Sequence, residues 1–253
     1  MTPKSFLKTL EMITKIYIRD ISGPFFSVIF PIGMVLVFGG IYGNEPSPLF
    51  EYRHGAMDAM IPGLIGMIIA VNGVMTLPLN LSEYMTNKVY KRFDATPMGK
   101  DNIVVVQLIV YVLATFVSAA IIIIFGKILH NINILGGWHL IILAILLSSA
   151  SMFAIGFFVA SIFKDGKHAQ IMSYVIYFLM IFLSGATIPL EIFPEGMRTI
   201  ANTLPLTHAV TFLQNVFGGQ DIRYQVTEIL ILFGVVAACL SIGIWSYKRR
   251  KWA

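Results

Sequence analysis

The chain has 253 residues, 57% of them hydrophobic and only 12% charged, with a formal net charge of +5. Soluble domains carry about 25% charged residues. This composition therefore excludes an ordinary soluble protein, whose polar surface could not cover so apolar a core, and defines an integral membrane protein. The lone cysteine, Cys239, excludes an intrachain disulfide and reads as a small buried hydrophobe.

The first element is an amphipathic helix over 3–20. Phe6, Leu10, Ile13 and Tyr17 fall at helical spacing, while Lys4, Lys8, Glu11, Lys15 and Arg19 occupy another face. Such a helix lies on a membrane surface with its basic face toward anionic lipid. It leads into an apolar run of about 23 residues, about 35 Å of helix, which spans a bilayer. No small-x-small cleavage pattern follows, so the run reads as an uncleaved first span rather than a signal peptide.

Seven windows lack Asp, Glu, Lys and Arg: 21–44, 59–82, 102–126, 128–163, 168–190, 199–220 and 229–247. Each is long enough to cross, and the basic residues discriminate among them. If 199–220 stays on one side, both termini share a side that holds 14 of the 18 Lys and Arg residues. The other side holds Arg53, Lys127, Arg198 and Arg223; with seven crossings the bias drops to 11 against 7. The positive-inside rule thus predicts six spans at about 21–43, 59–81, 102–126, 139–163, 168–189 and 228–247, with both termini cytoplasmic. The positive charge accordingly reflects membrane orientation, not nucleic acid. Trp138, Trp245 and Trp252 sit near span ends, as interfacial anchors do.

The set-aside window carries Asn202, Thr203, Pro205, Thr207, His208, Thr211, Gln214 and Asn215. These are costly in lipid, and Pro205 would interrupt a helix near its middle. The pattern predicts a re-entrant or interfacial helical hairpin over 190–218 on the outer face. Pro189 and Pro194 end the fifth helix, and Glu191 and Glu195 hold the turn in water.

Catalytic motifs are absent: there is no Walker A sequence, no HExxH and no GxSG, and the five histidines lack metal-ligand spacing. Apart from Glu228, which opens the sixth, none of the six spans holds Asp, Glu, Lys or Arg, although ion-coupled carriers place such groups at depth. What the spans hold is neutral polarity. Asn72, Thr76 and Asn80 recur every four residues in the second span, and Ser173, Tyr174, Tyr177 and Ser184 lie in the fifth. Two readings stand side by side, a pathway lining and hydrogen bonding between packed helices. Gly39 and Gly43 form a GxxxG pair.

The largest inner segment, 82–100, begins with Glu83 and continues as a short basic-aromatic helix bearing Lys88, Lys91 and Arg92, ended by Thr96-Pro97. Charge alone reads it as a solvated positive-inside loop; a short rigid helix there can also dock on another protein.

Two patterns resemble the ABC-2-type transporter permeases, the membrane subunits of a class of ATP-driven exporters. One is Glu83 followed by a short helix and Ala95-Thr96-Pro97-Met98. The more specific one is Pro189, Phe193-Pro194, Met197, Ile200, Pro205-Leu206-Thr207, Val210 and Gly218. The resemblance covers essentially the whole chain, 1–253, as a single transmembrane domain. The chain departs from it at Tyr84-Met85-Thr86-Asn87-Lys88, where members commonly carry Gly-Thr, and at Gln214, where a basic residue is common.

The resemblance implies an all-α, six-span fold in a bacterial plasma membrane. It implies a coupling helix over 83–97, in which Glu83, Lys88, Lys91, Arg92, Thr96 and Pro97 meet a separate ATPase, and an extracellular gate of Pro189, Phe193, Pro194, Pro205, Leu206 and Thr207. It further implies two ATPase copies, which hold ATP and magnesium, and a second permease, the same chain or a different one. This chain would bind no cofactor and would not itself be an enzyme. The expected activity is export of an amphipathic or hydrophobic molecule, such as a drug, antibiotic, peptide or lipid, past Asn72, Thr76, Asn80, Tyr174, Tyr177 and Ser184. The alternatives are a membrane-embedded lipid-modifying enzyme using His208 with Glu191 or Glu195, and an ion-extruding or secondary transporter, which the charge-free spans disfavour.

Overall fold

The computed structural model describes residues 3–45, 55–86, 100–163, 165–187, 190 and 193–249. Among the described residues, six helices are long and apolar enough to cross a membrane: α2 (Phe25–Tyr42), α3 (Ala56–Tyr84), α4 (Asn102–His130), α5 (Trp138–Ile162), α6 (Gly166–Leu183) and α9 (Ile222–Arg249). Helix α1 (Pro3–Arg19) precedes them, and the shorter α7 (Glu195–Ala201) and α8 (Pro205–Phe217) stand between α6 and α9. Among the described residues there is no β-sheet, and the fold is the all-α, six-span class expected.

Helix α3 is the centre of the bundle and packs against α2, α4, α5, α6 and α8. Its glycines let these neighbours come close. A Cβ on Gly63 would meet the Ala186 carbonyl oxygen at 2.7 Å, and one on Gly66 would meet Val210 Cγ2 at 2.7 Å. Where α5 crosses, Gly156 lies so near the carbonyl of Gly73 that no side chain fits between them. Small residues at crossings are how packed spans gain dispersion contact when lipid offers no hydrophobic drive. The peripheral spans instead turn large apolar side chains outward, including Leu36 and Ile41 on α2, Val175 and Phe182 on α6, and Leu230 and Phe233 on α9.

Helix α1 turns its apolar face onto the bundle. Ile13 is buried, and Phe6, Leu10 and Tyr17 pack on a cluster that includes Leu77, Leu81, Ile103 and Val106. Its charged face is open, with Lys15 Nζ donating to Glu11 Oε1 at 2.6 Å. Tyr247 of α9 joins the same cluster, which places both terminal helices at one end of the bundle.

Several element ends differ from the sequence expectation, each for a visible reason. Helix α6 stops at Leu183, ahead of the prolines, because Ser184 caps it and Gly185 turns the chain at φ +81°. Helix α4 runs to His130, beyond the expected end at 126: Lys127 Nζ reaches the Ile132 carbonyl at 2.9 Å and closes the turn that follows. The His130 imidazole packs directly over Gly39, so that glycine serves a contact within the chain. At the α5–α6 turn, Asp165 accepts from Lys167 N at 3.1 Å and lies 3.0 Å from His168 Nδ1. Those bonds, the backbone one first, hold its carboxyl below the usual carboxylate range.

The Gly73–Gly156 crossing carries a direct test. Replacing Gly156 with Leu forces α3 and α5 apart and is expected to cost about 1–3 kcal/mol, the usual range for overpacking. Gly33→Ala, at a helical site with open space around it, is expected to be neutral or to stabilise by up to about 1 kcal/mol. Thermal unfolding of the two variants in detergent checks the contrast.

Candidate transport cleft

A cleft of about 450 Å³ opens between α2, α3 and α6. Its α2 wall is a row at four-residue spacing: Phe26, Phe30, Met34, Phe38 and Tyr42. Over 16 residues such a row climbs about 24 Å of helix, most of the depth of a bilayer's hydrocarbon. Helix α3 contributes Met60 and Met67, and α6 contributes Tyr177, Phe178, Ile181 and Phe182, with Thr187 just beyond. The rings keep contact along each row: Phe178 and Phe182 stack at 6.3 Å, and Tyr177 meets Phe178 edge-on at 5.2 Å. No Asp, Glu, Lys, Arg or His lies among the described lining residues.

Of the residues singled out from sequence, only Tyr177 lines this cleft. Asn72, Thr76 and Asn80 do not line it: Asn72 and Asn80 are turned into hydrogen bonds between helices, and Thr76 gives only its carbonyl, to Asn80 of its own helix. Tyr17 Oη donates to Asn72 Oδ1 at 3.2 Å and lies 3.0 Å from Ser27 Oγ. Asn72 Nδ2 donates to Thr115 Oγ1 at 3.0 Å, and Asn80 Nδ2 donates to Tyr111 Oη at 2.6 Å and to the Thr76 carbonyl at 3.3 Å. Tyr17 and Tyr111 meet edge to face at 5.3 Å. The network thus joins α1, α2, α3 and α4. Burial pushes the Tyr17 phenol up, which keeps it a neutral donor. Both spans are π-helical at this point, over Phe25–Ile29 and Val71–Thr76. Such wide turns often mark functional sites. In α6, Ser173 is buried against the Ala169 carbonyl, Tyr174 accepts from Gln170 Nε2, and Ser184 accepts from Ala186 N.

The described part of 190–218 holds two helices, α7 and α8. Pro205 starts α8 rather than interrupting it, and the turn between α7 and α8 is closed by Thr203 N to Ile200 O and Leu204 N to Ala201 O, both 3.0 Å. Leu206, Ala209, Val210, Leu213, Val216 and Phe217 form the buried face of α8, at helical spacing, against α3, α5 and α9. Most of its polar residues have partners. Thr207 Oγ1 donates to the Ala201 carbonyl at 2.6 Å, His208 Nε2 lies 3.0 Å from the Asn202 carbonyl, and Gln214 Nε2 donates to the Ala59 carbonyl at 3.2 Å. Gly219, at φ +75°, ends the helix. Of the gate residues, Leu206 and Thr207 are buried, Pro205 and Phe193 are half-buried and Pro194 is exposed; Pro189 lies outside the described residues. Nearby, Asp58 Oδ1 accepts from Asn44 Nδ2 at 2.9 Å and from Asn133 N at 2.8 Å, which ties the loop after α2 to the loop after α4.

Glu83 is exposed near the end of α3, at the terminal end of the bundle. Lys88, Lys91, Arg92, Thr96 and Pro97 lie outside the described residues. Among the described residues no three His, Cys, Asp or Glu side chains converge closely enough to hold a metal ion. A second cavity, about 510 Å³, lies between α5, α6, α9 and Pro205, with apolar side chains throughout and Cys239 in its wall.

Six apolar helices among the described residues, one of them a buried central span, define a multi-pass helical membrane protein. Residues 9–217 match the ABC-2 type transporter family, and the chain belongs to that family. Its members are the membrane components of ABC transporters and work with an ABC ATPase. Over 116 residues the chain is also 28% identical to the uncharacterized protein YhgE of Bacillus subtilis (strain 168). That stretch is 45% of this chain and 15% of YhgE, so the chain spans only a small part of this relative's length.

The buried network is expected to contribute to stability in a coupled way. Tyr17→Phe should cost about 0.5–1.5 kcal/mol and Asn72→Leu about 1–2 kcal/mol, in the range of hydrogen bonds between spans plus an unsatisfied partner. Their double variant should fall short of the sum by at least about 0.5 kcal/mol, as residues sharing a bond do. Unfolding of the four proteins in detergent completes the cycle.

Proposed function

We propose that the chain is the permease subunit of a bacterial ABC exporter that moves an amphipathic or hydrophobic molecule outward through the α2–α3–α6 cleft. The observation that carries this reading is the cleft's wall, aromatic and thioether along its depth, with no Asp, Glu, Lys, Arg or His among its described residues. Such a wall favours apolar cargo and offers no group to couple a proton or ion gradient. The work therefore comes from ATP hydrolysed by a partner, two copies of which would serve two permeases. The exposed apolar faces of α2 and α6 beside the cleft suit a second permease, which would enclose it.

The plasma membrane and the cytoplasmic placement of both termini are supported by the concentration of Lys and Arg at the terminal end. That placement puts Glu83 and the 83–97 coupling segment on the side where ATP is held, and α7–α8 outside as a re-entrant gate. The lipid-enzyme alternative receives less support, since His208 spends its Nε2 on a backbone carbonyl. Drug, antibiotic, peptide and lipid cargo are all compatible with this reading.

Two variants test it in membranes that contain the cognate ATPase. Glu83→Ala is expected to lower cargo-stimulated ATP hydrolysis and export about tenfold while the subunits still co-purify. Met34→Trp, which fills the cleft, is expected to block export by a similar factor without releasing the ATPase. Normal export in both variants would refute the reading.

A further inference from the structure

Tyr177 stands out in the wall of the cleft. It is only 3% exposed, yet its hydroxyl makes no hydrogen bond to any described residue, and it is not among the sealed polar atoms of the core. The ring is enclosed, while the hydroxyl keeps an unmet donor outside the sealed core. A wall needing only a ring would carry Phe, as it does at Phe26, Phe30, Phe38, Phe178 and Phe182. The other polar groups of the wall are accounted for. Tyr42 is half-exposed at the end of α2, and Thr187 Oγ1 donates to the Ile181 carbonyl at 3.4 Å.

We infer that the Tyr177 hydroxyl is the hydrogen-bonding anchor of the cleft. Its ligand is an uncharged, aromatic-rich amphiphile that presents one acceptor, such as a ketone, ester or ether oxygen, to the phenol. This rests on the cleft being the cargo site. Aromatic walls also attract cations, but that attraction is weaker than the hydration lost when an ion without a counter-charge leaves water, and the described wall offers no carboxylate.

Benzophenone and diphenylmethane provide a matched test, since they share a skeleton and differ by the ketone acceptor. Irradiated benzophenone inserts into nearby C–H bonds, and Met34, Met60 and Met67 report on the cleft by mass spectrometry. With the full chain in nanodiscs, benzophenone is expected to label these methionines saturably. Tyr177→Phe should raise the half-saturating concentration about 5–10-fold, while competition by diphenylmethane stays the same. The thermal midpoint of the variant should hold or rise, because the hydroxyl bonds nothing in the chain. Unchanged half-saturation in Tyr177→Phe would overturn the anchor and leave the cleft reading intact. Absence of saturable labelling, as when a second copy of the chain fills the cleft, would overturn both. Competition by tetraphenylphosphonium at lower concentration than diphenylmethane would replace the uncharged ligand by a cation.

Discussion

A helix surrounded by five others in a membrane gains nothing by leaving water, because lipid tails are as apolar as its neighbours. What holds α3 in place is closeness, and closeness is set by its glycines. Gly73 lets the α5 backbone come to van der Waals contact at Gly156, and Gly63 and Gly66 admit the Ala186 backbone and Val210. Once α3 is enclosed, it can carry what a lipid-facing span cannot. Asn72 is fully buried, and its amide is satisfied on both sides by Tyr17 and Thr115. A bare amide facing hydrocarbon would cost several kcal/mol. Packing and polarity in this span therefore depend on each other.

The same segment joins that network to the cleft. Ser27 sits in the π-helical stretch of α2, bonded to Tyr17, while its neighbours Phe26 and Phe30 face the cleft. The corresponding stretch of α3 contains Asn72 and ends at Thr76. One turn of each helix is thus shared between a polar knot on one side and an apolar wall on the other. At the opposite end of α2, Asn44 closes onto Asp58. The cleft wall that α2 supplies is pinned by hydrogen bonds at both ends and held by apolar contact in between.

Much of this was legible in the residues. Charge-free windows and the clustering of Lys and Arg identified six crossings, and the polar content of 199–220 separated it from them. The cleft was harder to read. The row Phe26, Phe30, Met34, Phe38 and Tyr42 is visible as a four-residue spacing, but every other face of α2 is apolar too, so periodicity cannot distinguish cleft from lipid. Asn72 and Asn80 drew attention because polar residues in a span stand out, yet only their partners on α1 and α4 decide between a pathway and a packing role. Those partners lie 31 to 55 residues away along the chain. The end of α6 was misassigned to the prolines because Gly185 becomes a helix terminator only through its left-handed backbone, which the letter alone does not specify.

The arrangement also limits how the cleft can change shape. Of its three walls, α3 is locked on every side, and moving it would break the Gly73–Gly156 crossing together with the Asn72 bonds. Helices α2 and α6 each keep one broad face free of the bundle, so displacing them disturbs fewer packed contacts. Interdigitated cores resist gradual deformation, whereas rigid elements slide or tilt against a fixed partner. With no Asp, Glu, Lys, Arg or His among the described lining residues to titrate, the fit of any apolar occupant would follow the cleft's width. Width is set by the positions of α2 and α6 against a stationary α3. A displacement at the terminal end, where α1, α2 and α3 meet at Tyr17, would bear on that end of the α2 wall without transmission through the packed core.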